Sequence, residues 1–147
     1  MCLKVESNIP KIAEDDIFCY KVLQKCKGKG NEGCFLTPFQ ESLVIPCEIN
    51  GLNHLCADRN FYPPKIEESN SLKSHYLVSS GFIHTYKTLA HAKYERDVLE
   101  ENYDAEFFIF ECIIPKGCEY FKGSDCDGFI GYASEKIKFL QVLTYKK

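Results

Sequence analysis

The sequence predicts a single α+β domain spanning residues 1–147, with a mostly antiparallel or mixed sheet and one main helix. Three observations carry this. The chain has 147 residues, with eleven Phe, nine Tyr and no Trp; that is the size of one ordinary domain and a side-chain stock suited to strands. One segment alone, about 88–102, repeats its apolar positions at helical period. Elsewhere apolar residues alternate, or run continuously for a few positions, between Gly and Pro punctuation.

Residues 16–24 (DIFCYKVLQ) read as the first strand, with Ile17, Cys19 and Lys21 alternating against Phe18, Tyr20 and Val22. The strand ends in KCKGKGNEG, whose glycines and Asn supply turn positions. Short extended pieces at 34–37 and 42–45 each stop at a proline. Residues 50–74 form a long irregular region. A helical turn is expected at 53–58, Tyr62-Pro63-Pro64 cannot continue a helix, and the polar stretch 67–74 reads as a mobile loop and candidate lid.

Residues 75–84 read as a strand with Tyr76, Val78 and Phe82 on one face. Thr88 is the expected N-cap of a helix from Leu89 to about Asn102. Its stripe is Leu89, Ala92, Arg96, Leu99 and Tyr103, with Val98 alongside and the Arg96 stem lying along it. Residues 105–115 (AEFFIFECIIP) are apolar at both parities, which predicts a central strand covered on both faces. Pro115 ends it and Lys116-Gly117 turns the chain. Tyr120-Phe121 is a short strand, GSDCDG a turn, and 134–145 the last of roughly six strands.

A net charge of −3 argues against nucleic acid as a partner. Lys21, Lys25, Lys27 and Lys29 read as a solvated lysine segment, and Glu14, Asp15 and Asp16 as a surface turn. No apolar run approaches the ~20 residues that span a bilayer, and the start of the chain has no signal-peptide pattern. A cytoplasmic location with no membrane partner is expected, and with it nine reduced cysteines.

Two polar residues stand out: His84 at a strand end and Glu135 at a strand start. The imidazole could act as a general acid or base near neutral pH, or simply hydrogen-bond backbone at the strand–helix junction. Cys47, His54, Cys56 and His75 lack the paired-cysteine spacing of a zinc site. Asp125 and Asp127 resemble part of a calcium loop without its closing Glu, so no metal is expected. Cys118 and Cys126 sit at no helix start that would favour a thiolate.

DIFCYKVL, TPF, SSGFIHTYKT and CIIPKGCEYFKG…YASEKIKF together resemble an uncharacterised family of small proteins of gut anaerobes and their phages. That resemblance implies one domain in an intracellular, phage-associated setting, and carries over no activity. A partial likeness to the ADP-ribosyltransferase fold lies in the order of elements. It would put Tyr20 or Lys21 at the first motif, Gly81 to Thr85 at the second and Glu135 at the third. A late carboxylate of this kind stabilises an oxocarbenium-like state as the nicotinamide–ribose bond breaks. The motif's catalytic Arg or His-Gly is absent near residue 20.

The sequence therefore points first to a non-catalytic binding or accessory domain with a protein or small-molecule partner and no cofactor. The alternative is a divergent or degenerate ADP-ribosyltransferase-like enzyme acting on NAD. Candidate catalytic residues are Tyr20, His84 and Glu135; candidate ligand-binding residues are Gly81, Thr85, Tyr132 and Ser134.

Overall fold

Strands dominate the computed structural model, which describes residues 3–25, 35–37, 43–44, 54–57, 59–60, 62–68 and 75–143. In chain order they are β1 (Leu3–Val5), β2 (Lys11–Ile12), β3 (Ile17–Lys25), β4 (Phe35–Leu36), β5 (Leu43–Val44), β6 (His54–Cys56), β7 (Ile66–Glu68), β8 (Tyr76–Val78) and β9 (Ile83–Tyr86). The helix α1 (Leu89–Asn102) follows, then β10 (Phe107–Ile114), β11 (Glu119–Ser124), β12 (Ile130–Ser134) and β13 (Lys136–Leu143). All thirteen strands join one sheet in the order β6-β13-β10-β3-β9-β12-β11-β1-β8-β7, with β2 on β11 and the β4–β5 pair on β3. Every pairing is antiparallel.

The centre of the sheet is β10, flanked by β3 along its whole length and by β13. Its two parities go to different cores, as the continuous apolar run requires. Phe107 and Ile109 join Val22, Tyr86, Ala92 and Leu99 beneath α1. Phe110, Cys112 and Ile114 join Cys19, Leu23, Ile137 and Phe139 on the opposite face. A third cluster, Leu3, Val5, Val78, Phe82, Phe121 and Ala133, packs where β1, β8, β11 and β12 meet. The pair Cys19 and Cys112 stands directly opposite across β3 and β10. Burial pushes the Cys19 thiol up to about 12 and raises that of Cys112 as well.

α1 begins as expected: Thr88 is extended (φ −115°, ψ 148°) and its Oγ1 accepts the His91 N–H at 3.2 Å. Thr88→Ala should lower stability by about 1 kcal/mol, measured as a shift in the urea midpoint at unchanged slope. The buried face is His91, Ala92, Arg96 and Leu99. Tyr103, assigned to this stripe by period, is the extended C-cap residue and is 60% exposed.

Several expectations are corrected. Residues 54–56 form β6, paired with β13, where a helical turn was expected at 53–58; Leu55 packs against the core below, so the sheet and not local propensity decides. The strand expected at 75–84 is two, β8 and β9, broken at Gly81 (φ +81°). The strand expected at 134–145 is β13, which starts after the break at Glu135, while Ser134 ends β12; residues 144–147 lie outside the described set. Glu67 and Glu68 belong to β7, paired with β8; the rest of the expected lid, 69–74, lies outside the described residues. Lys21 is no solvated lysine: it is 9% exposed within β3. Lys25 is exposed, and Lys27 and Lys29 lie outside the described residues. The acidic run is exposed as expected, and Asp16 Oδ1 accepts the Lys116 N–H at 2.9 Å.

Candidate functional site: a lysine-rimmed groove over buried polar residues

The sequence-selected residues cluster on adjacent strands. Tyr20 stands opposite Tyr86 across β3 and β9, and Ala133 opposite His84 across β9 and β12. Tyr20 and His84 are therefore diagonal neighbours on one face of the sheet. The chemistry of His84 is largely committed to the fold. The His84 ring is 6% exposed, and its Nε2 donates to the Ser79 carbonyl at 2.8 Å. That bond fixes the Nε2–H tautomer, while Nδ1 is buried without a hydrogen-bond partner. Burial holds the imidazole down to about 4, the Ser79 carbonyl opposing and the Lys21 charge assisting.

Lys21 explains part of this setting. Pairing of β3 with β9 is confined to Tyr20 and Tyr86, and the Lys21 ammonium donates to the His84 carbonyl at 2.8 Å. Alternation along β3 places this amine on the Cys19–Leu23 face. Burial lowers it to about 8, with the Cys112 and Cys19 thiols pulling the other way. The residue works as a strut between two diverging strands.

Glu135 occupies the kink between β12 and β13. Its Oε1 accepts the Glu119 N–H at 3.0 Å, and its carbonyl accepts the Ala57 N–H at 2.8 Å. The carboxylate is thus held at the start of β11, on the side of β12 away from β9 and His84. Thr85 and Tyr132 are register partners, and both are buried. Burial raises the Tyr132 hydroxyl, with Cys19 and Tyr120 adding to the effect. Ser134 is wholly buried and donates to the Lys136 carbonyl at 3.2 Å. Gly81 forms the turn before β9, with Arg59 Nε donating to its carbonyl at 3.1 Å and the guanidinium 5.0 Å over the Phe82 ring.

The concave surface lies next door. β11 is paired to β2 through Glu119 and Tyr120, and to β1 at Ser124. Among the described residues, Phe121 and Lys122 pair only with β12. Residues 6–10, which carry no strand, arch between β1 and β2 and leave that length of edge open; Ser7 Oγ accepts the Ile9 N–H within the arch. The result is a groove of about 390 Å³, within the size range of ligand sites. Lys4, Lys11, Lys122 and His75 rim it, with Tyr120 and Ile130 as apolar walls. Phe121 anchors the floor in the core, edge-on to Phe82 at 5.5 Å. At Gly123 a Cβ would fall 2.1 Å from the Lys4 carbonyl oxygen, so only glycine lets β1 approach β11 this closely.

This groove can recognise extended, negatively charged chain. An open strand edge supplies backbone donors and acceptors, and three ammonium groups against the single Glu6 carboxylate set the sign of the field. Sequence reasoning missed it because its lysines come from three strands and carry no shared spacing. It also missed the trio His91, Glu95 and Asp125, whose ligand atoms lie within 4.8 Å of one another. Only the i,i+4 step from His91 to Glu95 was visible in the letters. Compared with protein-family models, with curated proteins and with solved structures, the chain has no match in any of the three.

Proposed function

We propose that the protein is a non-catalytic binding domain that holds an extended acidic segment of a partner protein in the groove along β11. The observation that carries this reading is the open edge at Phe121–Lys122, rimmed by Lys4, Lys11 and Lys122. The groups suited to acid–base work support it from the other side. His84 is tied to Ser79 and Glu135 to Glu119, each in the service of a strand junction.

Fluorescence anisotropy with a labelled peptide of alternating Glu and Val tests the reading. Binding should weaken as salt rises, and the double variant Lys11→Glu, Lys122→Glu should lose about tenfold or more in affinity. Both side chains are exposed, so the variant keeps the fold. Affinity indifferent to charge reversal would remove the groove from the account. The NAD-dependent alternative requires the Glu135 carboxylate to leave the Glu119 amide. Calorimetric heat with NAD that disappears in Glu135→Gln would replace the binding-only reading.

A further inference from the structure

None of His91, Glu95 and Asp125 lines the groove. His91 and Glu95 are one helical turn apart on α1 and share a face, while Asp125 comes from the turn between β11 and β12. His91 Nε2 lies 3.0 Å from Asp125 Oδ2 and 3.4 Å from Glu95 Oε1. For metal–ligand bonds of about 2.0–2.1 Å, adjacent ligands are about 3.3–3.4 Å apart on a tetrahedron and about 3 Å apart on an octahedron. Both distances from His91 therefore match the separations one ion would impose, and the two carboxylate oxygens lie within 4.8 Å of each other.

The surroundings favour a cation. The side chains of His91, Glu95 and Asp125 are 2%, 18% and 8% exposed, so little water screens the two carboxylates from each other. The geometry is fixed in advance. The His91 ring stacks on Phe129 at 4.3 Å and meets Tyr86 edge-on at 4.5 Å. Asp125 Oδ1 accepts the N–H groups of Asp127 and Phe129, leaving Oδ2 for the imidazole. Independently, His91 Nδ1 is buried with no hydrogen-bond partner. Metal binding at Nε2 would place the ring proton on this Nδ1.

We propose that His91 Nε2, Glu95 Oε1 and Asp125 Oδ2 bind one divalent first-row transition ion. Imidazole and carboxylate donors suit zinc, cobalt or manganese, and three protein ligands leave a coordination position for water. The ion ties α1 to the β11–β12 turn.

Titrating the full chain with cobalt(II) tests this, because the exposed Cys126 beside Asp125 offers a competing thiolate. One equivalent should bind with visible d–d bands and no thiolate charge-transfer band. Glu95→Gln and Asp125→Asn should each weaken binding by about tenfold or more while far-UV circular dichroism stays unchanged, and cobalt should raise the melting temperature of the parent chain only. Glu95→Gln is the variant least able to disturb the fold, since its side chain is the most exposed of the three. No binding at millimolar cobalt, a thiolate band, or undiminished affinity in Glu95→Gln would overturn the assignment and leave a hydrogen-bonded trio.

Discussion

Gly81→Ala is expected to lower stability by about 3 kcal/mol or more, read from urea unfolding. Two effects combine there. A φ of +81° costs a side-chain-bearing residue about 1–2 kcal/mol. An added Cβ would also fall 2.4 Å from Pro64 Cα and 2.5 Å from Pro64 N, which are backbone atoms with no rotamer to change. Nor can that segment easily withdraw. Ser80 Oγ donates to the Pro63 carbonyl at 2.7 Å, the Lys65 N–H to the Ser80 carbonyl at 3.0 Å, and the Ser79 N–H to the Lys65 carbonyl at 3.0 Å. Gly117→Ala separates the two effects. Its φ is +89°, but a Cβ there meets nothing within 4 Å, so it should show the backbone cost alone, about 1–2 kcal/mol. Equal losses in the two variants would mean that the contact with Pro64 is unimportant.

Acid should destabilise the protein through His84. The folded imidazole takes up a proton only at about 4, against an ordinary 6.5. Between those values the unfolded chain binds more protons than the folded one. Stability is therefore full above pH 6.5, falls as pH drops through this window and levels off below about 4. The gap corresponds to about 3 kcal/mol, spread across a range in which carboxylates also begin to titrate. A difference measurement isolates the histidine. In His84→Gln the side-chain amide can still donate to Ser79 but cannot take up the proton, so the loss of stability between pH 7 and pH 4.5 should shrink by about 2–3 kcal/mol. An unchanged acid loss in the variant would show that the ring is not the group responsible.

What the sequence made legible was local. The N-cap at Thr88, the helix that follows it and the continuous apolar run of β10 are each written in neighbouring letters, and the structure has them where expected. What escaped was set by contacts distant in sequence. Gly81 is visible as a glycine, yet whether the chain bends or runs straight there depends on Pro64 pressing against it. Lys21 reads as a surface lysine until the His84 carbonyl on a neighbouring strand accepts its amine. His91 looks like a polar helix position, and its burial comes from Phe129 and Asp125, which arrive only with the β11–β12 turn. The groove is the extreme case. Its lysines belong to β1, β2 and β11, brought together by sheet order and by no pattern within any one of them.

His84 and Glu135 are legible in the letters for a related reason. Both are polar interruptions at strand ends, where a site or a junction would write the same letters. Here each closes a junction: His84 between the Ser79 turn and β9, Glu135 between β12 and β11. The interior polar groups brace the strands that shape the groove, and Tyr120 links the two regions, lining the groove while its ring meets Tyr132 edge-on at 6.2 Å.

Amide chemical-shift mapping during titration with the alternating Glu–Val peptide reports which strands receive the ligand. Perturbations should concentrate in residues 4–11 and 119–124 and diminish in the Lys11→Glu, Lys122→Glu variant. Perturbations centred on residues 81–85 and 132–135 with the groove silent, or no perturbation at millimolar peptide, would contradict binding in the groove.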